Sequence, residues 1–293
     1  MMTKPTIGLA MLCKNEEQAL PATLERILPV IDSWTVIDTG STDNTREIIR
    51  DTLAHLPGRL LEHDFDGFGP SRTRLLAAAK NQADYTLMLD ADHTLHIDRP
   101  KPKLTADSYL LRIRDHWGGR LPLLTRSQHP FEYRGRAHSY LASDKPTTTQ
   151  QTDWLSVDGG PGATRDKLER DLPLLQADFI DNPNDARTVF YLAQTYRDLD
   201  QPEQAIRFYR LRAEMNGFAE ERYFARYQLG VLLGEHISFW EAAPELLKAA
   251  QERPTRVEAL RALANLANSI ADKTPYPKDD NLFVIESAYR KAA

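Results

Sequence analysis

Residues 85–95, YTLMLDADHTL, end an apolar run on two aspartates, Asp90 and Asp92, with His93 next. Side chains alternate along an extended chain, so both carboxylates are expected on one side, a single pleat apart. Two like charges so placed repel unless a cation lies near them. Oxygen ligands suit Mg2+ or Mn2+, whose shell phosphate oxygens and water complete. A second stretch, VIDTGSTDNT (36–45), ends a strand-like run at Asp38. Thr39-Gly40 then makes a tight turn, and Ser41, Thr42 and Asp43 offer caps for a following helix. A glycine turn entering a helix N-terminus can receive an anion or a nucleotide. Capping accounts for Ser41 to Asn44 but does not require Asp38.

These residues need a scaffold, and the first 100 positions supply one. Strand-like runs at 6–12, 33–38, 59–65 and 84–90 alternate with helical patterns at 19–28, 41–56 and 71–82. Such alternation implies a mostly parallel sheet with helices on its faces. Ligands in such sheets sit beyond the carboxyl ends of the strands, where Asn15, Asp38 and Asp90 all fall. After the Pro-rich break RPKPKL, strand candidates at 108–114, 120–126 and 153–157 read as an antiparallel addition that shapes an acceptor site.

From about residue 164 the pattern is helical. Leu192-Ala193 recurs as Leu229-Gly230 and more weakly at Leu263-Ala264, at intervals of 37 and 34 residues. That spacing suits tetratricopeptide-like helix pairs, which stack to bury a shared core. The expected domains are 1–162, with a nucleotide-binding half (1–100) and an acceptor half (101–162), and a helical domain over 163–293.

The 293 residues carry a net charge of −5, with 41% hydrophobic and 27% charged residues, which does not suggest a general nucleic-acid binder. Cys13 is the single cysteine, so neither an internal disulfide nor a thiolate metal cluster is expected. No stretch approaches the roughly 18 apolar residues of a membrane span. The expectation is a soluble cytoplasmic protein.

The blocks CKNEEQALPATLERILPVIDSWTVIDTGSTDNT, SRTRLLAAA and LMLDAD together resemble the family-2 glycosyltransferases of GT-A fold, over roughly residues 6–140. RDLPLLQADFIDNPNDARTVFYLAQTYRDL resembles the subgroup in which tetratricopeptide-like helices follow the transferase. The implied fold is an α/β, Rossmann-like, nucleotide-sugar-binding sheet followed by an all-α helical domain. By this resemblance Asp38 would hydrogen-bond the donor's base, and Asn15 and Glu16 would line the ribose. Arg74, sixteen residues before the D-x-D, would reach the base or diphosphate, with Arg72 as its weaker duplicate. Asp90 would hold the ribose or a metal-bound water, and Asp92 would ligate the metal. FEYRGRAHSYL resembles the segment whose histidine completes the metal shell, here His138, although Ser139 stands where the family often has Glu. His93 is assigned no role.

The implied reaction is an inverting displacement. A metal and basic side chains neutralise the leaving nucleoside diphosphate, while a carboxylate deprotonates the acceptor. Asp115, in RIRDHWGG, is the first choice for that base and Asp158, in VDGGPG, the second. The donor is expected to be a nucleotide sugar, a UDP-sugar foremost, and the cofactor Mn2+ or Mg2+. The acceptor is a peptide, a glycan or a modified nucleic-acid base, and the helices could also form a homodimer. Two alternatives remain: a nucleotidyltransferase, which usually has a glycine-rich phosphate loop that LCKNEEQ lacks, and a catalytically inert interaction protein.

Overall fold

The computed structural model describes residues 4–114, 119–158 and 164–271. It divides into two compact units, Met1–Gly162 and Ala163–Ala293.

The first unit opens with β1 (Ile7–Cys13), α1 (Leu20–Ile27), β2 (Ser33–Asp38), α2 (Thr45–Leu53), β3 (Gly58–Glu62), α3 (Phe68–Ala79) and β4 (Tyr85–Asp90). Strands β3, β2, β1 and β4 lie side by side and parallel. Strands β1, β2 and β4 are buried almost throughout, so their alternating side chains give the sheet two apolar faces. Leu9, Met11, Val36, Leu87 and Leu89 pack with Leu24, Ile27, Ile49 and Leu53 of α1 and α2. Ala10, Ile37 and Met88 meet Leu75 and Ala79 of α3 on the other face.

Six further strands follow: β5 (Thr94–Ile97), β6 (Ser108–Ile113), β7 (Arg120–Arg126), β8 (Glu132–Arg134), β9 (Tyr140–Ala142) and β10 (Thr149–Asp158). The large sheet runs β3-β2-β1-β4-β7-β6-β10-β5, and β8 and β9 form a separate hairpin. Strand β7 is antiparallel to both β4 and β6, as expected of an antiparallel addition. The β6–β10 pair is parallel instead, because the chain passes through β7, β8 and β9 before it returns.

Strand β5 starts four residues after Asp90, yet β7, β6 and β10 separate it from β4 in the sheet. Four residues reach at most about 14 Å, whereas four strand spacings amount to about 19 Å. The sheet therefore curls, and the ends of β5 and β10 return towards the end of β4. The β4–β7 ladder covers only Tyr85–Leu87, so it stops short of Asp90.

The second unit holds α4 (Arg165–Asp181), α5 (Ala186–Asp198), α6 (Pro202–Glu214), α7 (Ala219–His236), α8 (Phe239–Glu252) and α9 (Glu258–Ala271), each packed on the next. Asp185 caps α5 by accepting from the backbone N–H groups of Arg187 and Thr188, and Ser238 caps α8. Leu192, Ala193, Tyr196, Ala205, Tyr209, Leu229 and Gly230 are buried, in keeping with the repeat. A Cβ on Gly230 would come within 2.6 Å of Leu246, so the glycine sets the α7–α8 approach. In the third copy Leu263 is buried but Ala264 is exposed. Among the described residues, no helix is long and apolar enough to cross a membrane.

Candidate active site

Asp90 ends β4 in register with Leu12, on the side of the sheet that faces α3. The next residues leave the strand. The His93 N–H donates to the Asp90 carbonyl at 3.1 Å, closing a tight turn, and His93 Nδ1 accepts from the Asp90 N–H at 3.3 Å. Asp92 therefore lies in a turn and not one pleat beyond Asp90. His93, which had no assigned role, folds back to close that turn.

The cation beside Asp90 is Arg72. Its Nη2 donates to both Asp90 oxygens, at 2.7 and 2.9 Å, and its Nη1 donates to Ser139 Oγ at 3.0 Å. Phe68 and Tyr133 flank the guanidinium at 5.3 and 5.7 Å. Burial alone would lower the Arg72 pKa, but the Asp90 charge and hydrogen bonds outweigh it and raise the value. Tyr133, enclosed in the same cluster, is pushed up to about 12, chiefly by burial. Arg74, expected to be the main donor ligand, turns elsewhere and pairs with Asp66 at 2.7 Å. Arg72, and not Arg74, is therefore the arginine that contacts Asp90. Two residues along a helix differ by about 200° in direction, so both cannot face Asp90.

The loop that meets Arg72 is held by α3. Phe68 N–H donates to the Arg136 carbonyl at 2.6 Å, and Gly69 N–H to the Gly135 carbonyl at 3.0 Å. Those bonds satisfy amides that a helix start leaves open. Gly135, at φ +89°, and His138, at φ +48°, turn the loop. His138 is exposed.

Asp38 is in register with Cys13, on the opposite face of the sheet from Asp90. Its side chain is completely buried. It accepts from the N–H groups of Gly40 at 3.1 Å and Ser41 at 2.9 Å, from Ser41 Oγ, and from Arg46 Nε at 2.9 Å. Burial would raise its pKa, but these bonds more than offset that and hold it below the usual carboxylate range. Asp38 thus shapes the β2–α2 loop. Asn15, in left-handed backbone at φ +55°, accepts from Thr42 N–H at 2.8 Å, and the Glu16 N–H donates to Thr45 Oγ1 at 2.8 Å. These bonds join the β1–α1 and β2–α2 loops. Beside them Asp38, Gly40, Glu62, His63 and Asp64 bound a cleft of about 370 Å³.

Among the described residues, no three His, Cys, Asp or Glu side chains gather into a metal cage, so the expected set of Asp90, Asp92 and His138 is not assembled. Asp92 is half-buried, and no hydrogen bond or ion pair engages its carboxylate among the described residues. Mg2+ and Mn2+ commonly take one or two carboxylates and fill the shell with phosphate oxygens and water. The donor set fits a cation that arrives with a diphosphate.

Asp115 lies outside the described residues. Asp158 ends β10 opposite Thr94, two residues past Asp92, and bonds His96 Nε2 at 2.8 Å. Sequence reasoning missed His96, Ser139 and Tyr133, whose partners lie 60 or more residues away in the chain.

A TPR repeat-containing protein of Synechococcus elongatus is 34% identical over 93 residues, 31% of this chain and 22% of that protein, so the chain spans about a fifth of that relative's length. Among solved structures, MamA aligns over 42% of this chain and 66% of its own, at 23% identity and a TM-score of 0.34. M. tuberculosis glucosyl-3-phosphoglycerate synthase aligns over 31% of this chain and 35% of its own, at 24% identity and a TM-score of 0.26. Residues 9–105, from β1 to beyond the Asp90 turn, match the family described as glycosyl transferase family 2.

Proposed function

We propose that the chain transfers a sugar from a nucleotide-sugar donor, a UDP-sugar foremost, to an acceptor hydroxyl with inversion at the anomeric carbon. The observation that carries this reading is the convergence of Arg72, Asp90 and Asp92 where β4 ends, inside a glycosyl transferase family 2 segment. The nucleoside lies over the ends of β1 and β2, with the cleft beside Gly40 for the base and the Asn15–Thr42 loops for the ribose. Asp38 acts through the loop it holds. Arg72 and Asp90 position the diphosphate end. Asp92, with Asp90 beside it, would hold Mn2+ or Mg2+, which when bound supplies positive charge to the leaving diphosphate. Arg72 supplies further charge from a site largely shielded from water, where electrostatic stabilisation is strongest. The acceptor belongs to a peptide, a glycan or a modified nucleic-acid base, and the helical unit serves to hold that acceptor or a second copy of the chain.

The test is hydrolysis of a panel of UDP-glucose, UDP-galactose, UDP-N-acetylglucosamine and GDP-mannose by the full chain, with and without Mn2+. Metal-stimulated release of a nucleoside diphosphate from one donor is expected, and loss of that release in Asp92→Asn. A wild-type chain that neither binds nor hydrolyses any of them overturns the reading.

A further inference from the structure

The β10–β5 corner carries a pair of titratable side chains that the site above leaves unused. Asp158 and His96 project from the same face of adjacent antiparallel strands, since Asp158 opposes Thr94 and Ser156 opposes His96. Leu95 and Val157, between them in sequence, point the other way into the core. His96 Nε2 lies 2.8 Å from Asp158 Oδ2, and the His96 side chain is 23% exposed against 45% for Asp158. The imidazole therefore sits behind the carboxylate. Among the described residues nothing engages Asp158 Oδ1. Ser156, the next residue on this face, is already committed: it donates to Asp98 at 2.6 Å and accepts from Arg114 Nε at 2.8 Å.

The curl of the sheet brings this pair towards the carboxyl end of β4. Thr94 follows Asp92 by two residues, so Asp158 lies one ladder rung from the start of the strand that leaves the Asp90–His93 turn. The β4–β7 ladder ends before Asp90, so among the described residues no strand pairs with β4 on that side at its carboxyl end.

We infer that Asp158 is the group that takes the acceptor's proton and that His96 is its positioning residue. The inference rests on the transferase reading. His96 donates its Nε2–H to Oδ2 and fixes the carboxylate's direction, leaving Oδ1 to accept from the acceptor hydroxyl. As the acceptor oxygen bonds to the anomeric carbon, its proton passes to Asp158. The bond from that carbon to the diphosphate oxygen breaks, and its electron pair leaves with the nucleoside diphosphate. Rate and binding should separate, because neither residue belongs to the elements that hold the donor.

Water serves as the acceptor in the test, with whichever nucleotide sugar of the four above wild type hydrolyses fastest, and calorimetry of UDP or GDP reports donor binding. Asp158→Asn is expected to lower kcat about a hundredfold or more, with nucleotide affinity within twofold of wild type. Formate is expected to restore turnover to Asp158→Ala by supplying a carboxylate. His96→Ala should lower kcat about tenfold, the size expected for one hydrogen bond to a charged group, with the KM for donor unchanged. His96→Gln, which keeps a donor near Nε2, should recover most of that loss. Wild-type turnover in Asp158→Asn, or loss of nucleotide binding together with turnover, overturns the assignment while the transferase reading stands. A His96→Gln variant as slow as His96→Ala, with both melting at the wild-type temperature, overturns the positioning role. If wild type binds and hydrolyses no donor, both readings fall together.

Discussion

Arg72 Nη2 lies 2.7 Å from one oxygen of Asp90 and 2.9 Å from the other, while Nη1 of the same guanidinium reaches Ser139. One side chain from the second turn of α3 therefore fixes both the end of β4 and the loop that carries His138. The first aspartate of the D-x-D is engaged by a cation of the chain itself. In the proposed reading, Asp92 is the carboxylate that would meet an incoming metal and diphosphate.

Arg72→Met should accordingly cost far more than Arg74→Met. Removing the shielded fork takes away transition-state charge stabilisation and both Arg72 hydrogen bonds to Asp90, so nucleotide-sugar turnover should fall about a hundredfold. Arg72→Lys should recover little, since an ammonium cannot bridge Asp90 and Ser139 together. Arg74 pairs with Asp66 near the surface, and its removal should change turnover less than about threefold. Steady-state kinetics of the three variants checks the order. A larger loss at Arg74 would return the donor-binding role to that residue.

Asp92→Asn should remove the metal dependence of nucleotide binding while the fold persists. Calorimetric titration of UDP with Mn2+ and again with EDTA measures the difference in each protein. Wild type should bind more tightly with Mn2+, and the variant should bind equally weakly in both buffers. A metal-dependent gain that survives in Asp92→Asn would place the cation on other ligands.

The alternation of strands and helices, and the arrival of Asn15, Asp38 and Asp90 at strand ends, were legible because each depends on a few adjacent residues. The directions of those side chains were not. Cys13 pairs with Asp38 but Leu12 pairs with Asp90, so parity alone sends the two aspartates to opposite faces. That one-residue offset between ladders is a property of the assembled sheet. Counting sixteen residues back from Asp90 selected Arg74, but the count crosses the α3–β4 loop and carries no helical phase. The phase is set where α3 starts, at Phe68 and Gly69 against the 135–136 carbonyls. His96 was invisible because its partner is 62 residues away.

Gly69→Ala tests that helix start. A Cβ there would lie 2.3 Å from the Gly135 carbonyl oxygen and 3.0 Å from that of Tyr133, both backbone atoms. Neither can rotate aside as a side chain tip would. The loop must shift, taking Ser139 away from Arg72. A loss of about 2 kcal/mol is expected, with turnover falling alongside it. Urea unfolding of the full chain gives the first and donor hydrolysis the second. Unchanged stability would show that the loop docks on α3 more loosely than the hydrogen bonds indicate.

Asp38 gives a pH dependence whose sign follows from its depressed pKa. An unfolded aspartate titrates near about 3.9, and the folded value is lower because Ser41, Gly40 and Arg46 bond the charged form against the opposing effect of burial. Between the two values the unfolded chain binds more protons. The contribution of Asp38 is therefore complete above the unfolded value and is lost as pH falls through the folded one. Asp38→Asn should be less stable than wild type by a constant amount from pH 7 to pH 5, with the gap closing in more acid solution. Urea midpoints at a series of pH values measure it. A gap that persists unchanged below pH 3 would show that Asp38 stabilises the loop by shape and not by charge.

Arg226 holds an ion-pair network in the helical unit. It is 7% exposed and donates to Glu245 at 2.9 Å, Glu252 at 3.1 Å, Glu214 at 3.2 Å and the Ala213 carbonyl at 2.9 Å. Replacing it with Met removes the cation that Glu245 and Glu252 share, leaving them Lys248 at 2.9 Å and Arg222 at 3.3 Å respectively. Removing one partner from such a pair usually costs about 3–5 kcal/mol, and the lower end applies here because Glu214 is exposed. Adding Glu245→Gln to Arg226→Met removes one of the two like charges that Arg226 had held together, so the double variant should be more stable than the sum of the single losses. Thermal unfolding of the three proteins supplies the cycle. Strict additivity would mean that the glutamates regain water when Arg226 goes and that the network adds little beyond the packing of its carbon chain.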